Sequence, residues 1–231
     1  MLHHLGKERN FKHDFYLAIL LGLNAGFVNA AGFLAFGVLT TNITGHAALL
    51  AIDVASGTVA GVAKISIWLL SFAFGAFISG LWIQTVGNRK PPFRPVPLLI
   101  LILILLSVAI CGSNKNLSSL LITGLLFGMG IQNALVSVVS GFVVRTTHLT
   151  GMVTDLGIDL SSMFNERDWK EKRQRIFLRL TIIASFLGGG ILGGLLFYHF
   201  SFIAFYIPAL VLATTLLMDY ISSIRDTKNE I

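Results

Sequence analysis

Long apolar runs separated by short polar clusters make up most of the chain. Six of them, Phe15 to Val38, Val62 to Val86, Val96 to Cys111, Leu117 to Val143, Ile176 to Tyr198 and Phe202 to Ile221, reach or approach the roughly 20 residues of helix that cross a bilayer. A segment inside hydrocarbon must satisfy its own backbone, so each run predicts a helix and the fold class is an all-α integral membrane protein. The third run is short, and the fourth is interrupted by glycine and polar residues. Two further stretches, about Gly45 to Gly61 and Gly151 to Met163, are shorter still, and each follows a polar break.

Those breaks repeat. Thr40-Thr41-Asn42-Ile43-Thr44-Gly45, followed by Ile52-Asp53, returns as Thr146-Thr147-His148-Leu149-Thr150-Gly151, followed by Ile158-Asp159, at a constant offset of 106 residues. Upstream, Gly26-Phe27-Val28-Asn29-Ala30 is echoed by Gly130-Ile131-Gln132-Asn133-Ala134. Downstream, Phe72, Gly75, Gly80 and Leu81 align with Phe186, Gly189, Gly194 and Leu195. The chain is therefore two copies of one unit: a tail over residues 1–14, a first repeat over 15–112, a second over 113–222, and a tail over 223–231.

Charge decides how the copies are oriented. The short stretches after the Thr-Gly motifs either cross the membrane, giving eight spans, or dip in and return, giving six. With six spans and both ends cytoplasmic, fifteen of the 17 lysines and arginines face the cytoplasm, against thirteen with eight spans. Basic short loops prefer the cytoplasm, so the six-span arrangement is favoured. Each half then holds three spans and one re-entrant or broken helix after a T-T-x-[IL]-T-G motif, and the halves are inverted. Both termini are expected in the cytoplasm and the protein in the bacterial inner membrane.

Composition agrees with this and removes other classes. Hydrophobic residues are 55% of the chain, charged ones 12%, and the mean hydropathy is +0.80. The net charge of +6 lies between spans, so it orients a membrane protein and does not indicate a nucleic-acid partner. Lys7, Arg9 and Lys12 ahead of an apolar run resemble a signal peptide, but no small-residue cleavage site is followed by a soluble domain, and an uncleaved first span is expected. The lone Cys111 excludes an intramolecular disulfide. No nucleophile–base–orienter set and no Walker-type loop is present, which argues against an enzyme, a primary pump or a cofactor. Gly188-Gly189-Gly190 and Gly193-Gly194 lie inside an apolar run with no strand before them, so they predict close helix packing.

Candidate binding residues come from the breaks. Gly45 and Gly151 permit a tight turn into a short helix, with Thr44 and Thr150 offering capping oxygens; Thr41, Asn42, Thr147 and His148 complete the two motifs. The free N–H groups at such helix starts favour an anion or a polar substrate group. Asp53 and Asp159 are equivalent carboxylates, with Asp155 one turn before Asp159. They either bind a cation or carry a proton, or they sit wet at the ends of short helices. Asn29 and Asn133 are equivalent amides within apolar spans, able to bond between helices as well as to line a site. His46 and His148 are not equivalent, and no metal-ligand pattern is present. The loop Asn165 to Arg175 predicts a solvated cytoplasmic linker with affinity for anionic headgroups.

At these motifs the chain resembles the YoaK family of small bacterial inner-membrane proteins, whose domain is of unknown function. The resemblance spans about Phe15 to Ile221 and rests on Gly26 to Leu34, Thr41 to His46, Gly130 to Ala134 and Arg145 to Gly151. It departs at Asn29, where the family pattern has aspartate, and at His46, where it has asparagine. The resemblance implies a transporter of small molecules. The expected function is movement of a small polar or ionic solute by alternating access, with proton or cation coupling left open. The partners are then the lipid bilayer and the solute, with a homo-oligomer left open. A non-transporting scaffold or sensor, and a passive channel, are the alternatives.

Overall fold

A computed structural model describes residues 2, 4–5, 9–162 and 169–229. Among these residues eight α-helices follow one another: α1 Phe11–Phe36, α2 Ile43–Ala55, α3 Val59–Trp82, α4 Leu98–Cys111, α5 Ser118–Val139, α6 Leu149–Ser162, α7 Trp169–Phe200 and α8 Tyr206–Asn229. No strand occurs among the described residues. Among the described residues five apolar helical stretches are long enough to cross a membrane: Phe11–Phe36, Val59–Gly87, Pro91–Cys111, Lys115–Val139 and Lys172–Ser223. The last holds both α7 and α8, joined by the short turn Ser201–Phe205. The linker expected at Asn165 to Arg175 begins outside the described residues, as do parts of both expected tails.

Local sequence explains the ends. Helix α1 starts at a capping box, in which the Asn10 side chain accepts from His13 N–H; this satisfies a donor that the first turn would leave bare. It stops at Gly37 (φ 71°), a left-handed conformation that a residue without Cβ adopts at little cost. The matched helix α5 stops near Gly141 (φ 62°), 104 residues on. The expected fourth run therefore loses its last turn as helix, because left-handed Gly141 and Phe142 reverse the chain there.

The halves exchange neighbours. Helix α1 packs along α7, and the matched α5 packs along the matched α3. A Cβ on Gly26 would collide with the Phe186 carbonyl and lie 2.9 Å from Gly190 N. A Cβ on the equivalent Gly130 would collide with the Phe72 carbonyl and lie 3.1 Å from Ala76 N. Gly75 against Phe127 and Gly189 against Leu23 complete the same correspondence. Four glycines thus let two backbone pairs touch, as small residues do between membrane helices. The glycine-rich run of α7 is used for this packing, with Gly189 and Gly193 both turned to α1.

The buried core lies between α1, α4, α5 and α8, with Leu17, Leu21, Leu101, Leu105, Met129 and Leu212 fully enclosed. One polar clamp crosses it. Asn24 Nδ2 donates to Gln132 Oε1 at 2.6 Å, and Gln132 Nε2 donates to the Leu21 carbonyl at 2.9 Å. The outward faces of α3 and α7 remain apolar, with Leu70, Phe77, Leu187 and Ile191 all exposed; such a face suits lipid and not water.

Candidate functional site

Each Thr-Gly motif folds in the same way. The Asn42 side chain accepts from Gly45 N–H at 3.0 Å, and His46 N–H donates to the Asn42 carbonyl at 3.1 Å. In the second motif, Met152 N–H donates to the His148 carbonyl at 3.1 Å, so His148 stands where Asn42 stands. The capping oxygen of α2 comes from Asn42 and not from Thr44. Neither Gly45 nor Gly151 has positive φ, so the tight turn expected at these glycines is absent. Their hydrogens instead make room for the residue three positions earlier: a Cβ on Gly45 would meet Asn42 Nδ2 at 2.5 Å, and one on Gly151 would collide with the His148 ring.

The amides upstream hold the motifs in place. Asn29 on α1 accepts from Thr41 N–H at 3.0 Å, and the equivalent Asn133 on α5 accepts from the Thr147 hydroxyl at 2.7 Å. Asn29 and Asn133, expected as amides able to bond between helices, each bond within their own half, and the bond between α1 and α5 is made by Asn24 and Gln132 instead.

Both motifs open on one cavity of about 640 Å3. Its walls are matched pairs: Asn29 with Asn133, Leu39 with Arg145, Thr41 with Thr147, Asn42 with His148, Ile43 with Leu149, Thr44 with Thr150, and Phe72 with Phe186, joined by Ser137 and Phe142. The first residues of α2 and α6, Ile43 and Leu149, therefore face the same space although they lie 106 positions apart. Thr41, Asn42, Thr44, Asn29, Asn133, Thr147, His148 and Thr150 are the expected site residues that meet here.

The other expected residues lie elsewhere. Gly45 and Asp53 line a second cavity of about 620 Å3, bounded by His46, Lys64 and Trp68. In it Lys64 Nζ sits 4.8 Å from the centre of the Trp68 ring, and His46 Nε2 lies 2.8 Å from the Leu39 carbonyl. Asp155 and Asp159 on α6 both meet Arg179 of α7. Arg179 Nη1 pairs with Asp159 Oδ2 and also reaches the Asp155 carbonyl at 2.9 Å, while Nη2 is 3.3 Å from Asp155 Oδ2. Gly151 lies under the His148 ring and lines neither cavity. The equivalent carboxylates Asp53 and Asp159 thus do not share one cavity, and Ile65 occupies the position matched to Arg179, so Asp53 lacks the arginine that Asp159 has.

Sequence reasoning passed over Phe72, Phe186 and Arg145 as site residues. The phenylalanines carried a signal, since they fall in the aligned segment of the third helices. Arg145 was read as a topological charge and as the first residue of a family motif, and its place on the cavity wall needed the folded motif. Among the described residues there is no cluster of three or more His, Cys, Asp or Glu side chains able to hold a metal.

Comparison with known proteins agrees that the chain is a membrane protein. The family model described as "Protein of unknown function (DUF1275)" matches residues 17–218. A relative from Bacillus subtilis (strain 168), "UPF0700 transmembrane protein YoaK", is 29% identical over 196 residues, covering 80% of this chain and 85% of the relative. No solved structure matches. The chain is a membrane protein and belongs to the DUF1275 family of proteins of unknown function.

Proposed function

We propose that this protein is a secondary transporter that moves a small polar or ionic solute through the cavity between its two Thr-Gly motifs. The observation that carries this reading is the pairing of the cavity walls: almost every lining residue has its repeat counterpart across the same space. A site on the axis relating two halves can be exposed to either side by rocking one half against the other, which is how inverted-repeat transporters alternate access.

The reading includes six spans in two inverted sets of three, with both termini in the cytoplasm of an inner membrane. Helices α2 and α6 have 13 and 14 residues, about 20 Å at 1.5 Å per residue. A hydrocarbon core of about 30 Å is longer than that. Each short helix would enter and leave on one side, and three crossings per half reverse the second half. In a Cys111→Ser background, a cysteine at Ser113 should then react with an impermeant maleimide from outside, and one at Asn88 only after the cells are opened. Labelling of Asn88 in intact cells would argue for eight spans and parallel halves.

The transport reading is tested by solute flux in proteoliposomes against a panel of ions and small polar molecules. Ser137 lines the cavity and is half-buried. Ser137→Trp should fill the cavity and reduce flux per folded molecule at least about tenfold, with the melting temperature little changed, because the added ring occupies open space and overpacks no core side chain. Saturable flux in the wild type distinguishes a carrier from a channel. Unchanged flux in the tryptophan variant would place the pathway elsewhere and return the motifs to helix packing in a scaffold.

A further inference from the structure

The chemistry of the cavity walls selects the sign of what binds there. Oxygen acceptors on three wall amides are already used within the protein: Asn29 Oδ1 by Thr41 N–H, Asn42 Oδ1 by Gly45 N–H, and Asn133 Oδ1 by the Thr147 hydroxyl. For Asn29 and Asn42 the partner is a backbone N–H, which can only donate, so the orientation of the amide is fixed by chemistry. Each of these side chains is left with its NH2 group, and none of the three donates to a described residue. The hydroxyls of Thr44 and Thr150, at matched places on the wall, likewise donate to no described residue.

Charge adds to the donors. Arg145 is the one permanently charged residue on the wall, no carboxylate lines it, and Arg145 makes no ion pair or hydrogen bond with a described residue. The nearby acids are accounted for: Asp155 and Asp159 meet Arg179, and Asp53 lines the second cavity. The positive ends of α2 and α6, which start on the same wall, act in the same direction. An unpaired guanidinium beside a space with spare donors and no acceptor charge is a poor home for a cation and a good one for an anion.

We infer that the cavity binds a small monovalent oxyanion, a carboxylate or nitrate, with Arg145 as its charge partner and the amide NH2 groups of Asn29, Asn42 and Asn133 as further donors. One arginine balances one negative charge, and its planar fork matches a two-oxygen anion. Phe72 and Phe186, matched in the repeat, add apolar surface to the lining that accommodates the body of a carboxylate. This rests on the proposed role of the cavity as the solute site; of the ligands the sequence left open, an anion or polar group at the helix starts and a cation or proton at the aspartates, it selects the anion.

The test is isothermal titration calorimetry of the purified, detergent-solubilised full-length protein with sodium acetate and with sodium nitrate, at ionic strength held constant by sodium chloride, whose anion carries no oxygen. The expected result is saturable binding of at least one of them. Arg145→Gln should weaken it by about tenfold or more, as loss of a charged hydrogen-bond partner does, while Arg145→Lys loses less and Lys115→Gln, which removes an equal charge from the turn before α5, changes nothing. Binding of neither anion to the wild type, or equal affinity in Arg145→Gln, overturns the inference. Binding as expected without flux in proteoliposomes would remove the transport reading and leave the anion site standing. Flux of a cation or neutral solute that is unchanged by Arg145→Gln would do the reverse.

Discussion

Gly26→Ala and Gly130→Ala are each expected to abolish most of the folded protein. The added methyl group at either site would collide with a carbonyl oxygen of the neighbouring helix, Phe186 for Gly26 and Phe72 for Gly130. Both obstacles are backbone, so no rotamer change relieves them and the helices must separate along their length. Overpacking of this kind costs about 1–3 kcal/mol when side chains can shift, and more when they cannot. Here the loss includes the close contact on which α1–α7 and α3–α5 association depends, since lipid tails give apolar helices no hydrophobic reason to stay together. Gly80 supplies the control. It lies in α3, and a Cβ there meets nothing within 4 Å, so Gly80→Ala should gain helix propensity, up to about 1 kcal/mol. The measurement is the monodisperse fraction and melting temperature of the solubilised protein. A wild-type melting temperature in Gly26→Ala would refute the close backbone crossing.

The same glycines show what the sequence made legible. The repeat was visible as residue identities, and its offset identified the helices that correspond. Membrane class followed from run length alone, because an apolar segment of span length has few alternatives to helix. The exchange of partners, α1 with α7 and α5 with α3, was not legible. It is set by which small faces meet in three dimensions, and both halves carry similar small faces. At the site, the motifs were found by repetition, and eight of the expected residues do line one cavity. The roles of others needed coordinates. Gly45 and Gly151 looked like turn glycines because glycine permits a tight turn into a short helix, yet neither has positive φ and the space is taken by Asn42 and His148. The aspartates drew attention because a carboxylate in apolar surroundings is costly. What relieves that cost at Asp159 is Arg179, twenty residues on and beyond the described helix end, where the sequence offered several basic candidates and no way to choose.

That ion pair gives the last expectation. Arg179→Gln should destabilise the protein strongly, because it leaves Asp159, which is buried, and the half-exposed Asp155 without their cation. Breaking a buried pair by removing one partner costs roughly 3–5 kcal/mol; partial exposure of Arg179 and of both acids places this cluster toward or below the lower end. The loss should appear as detachment of α6 from α7, because Arg179 also holds the Asp155 carbonyl at 2.9 Å. Exchanging the charges, Asp159→Arg with Arg179→Asp, should restore much of the melting temperature, since opposite charges again face each other across the two helices. The exchange also separates structure from coupling. With both acids placed against Arg179 and away from the cavity wall, the pair acts by positioning α6, whose first turn forms that wall. Flux per folded molecule should therefore return together with stability. Recovery of folded protein with no recovery of flux would mean that the carboxylate at position 159 itself carries a proton or a coupling ion, and that positioning α6 is only part of what it does.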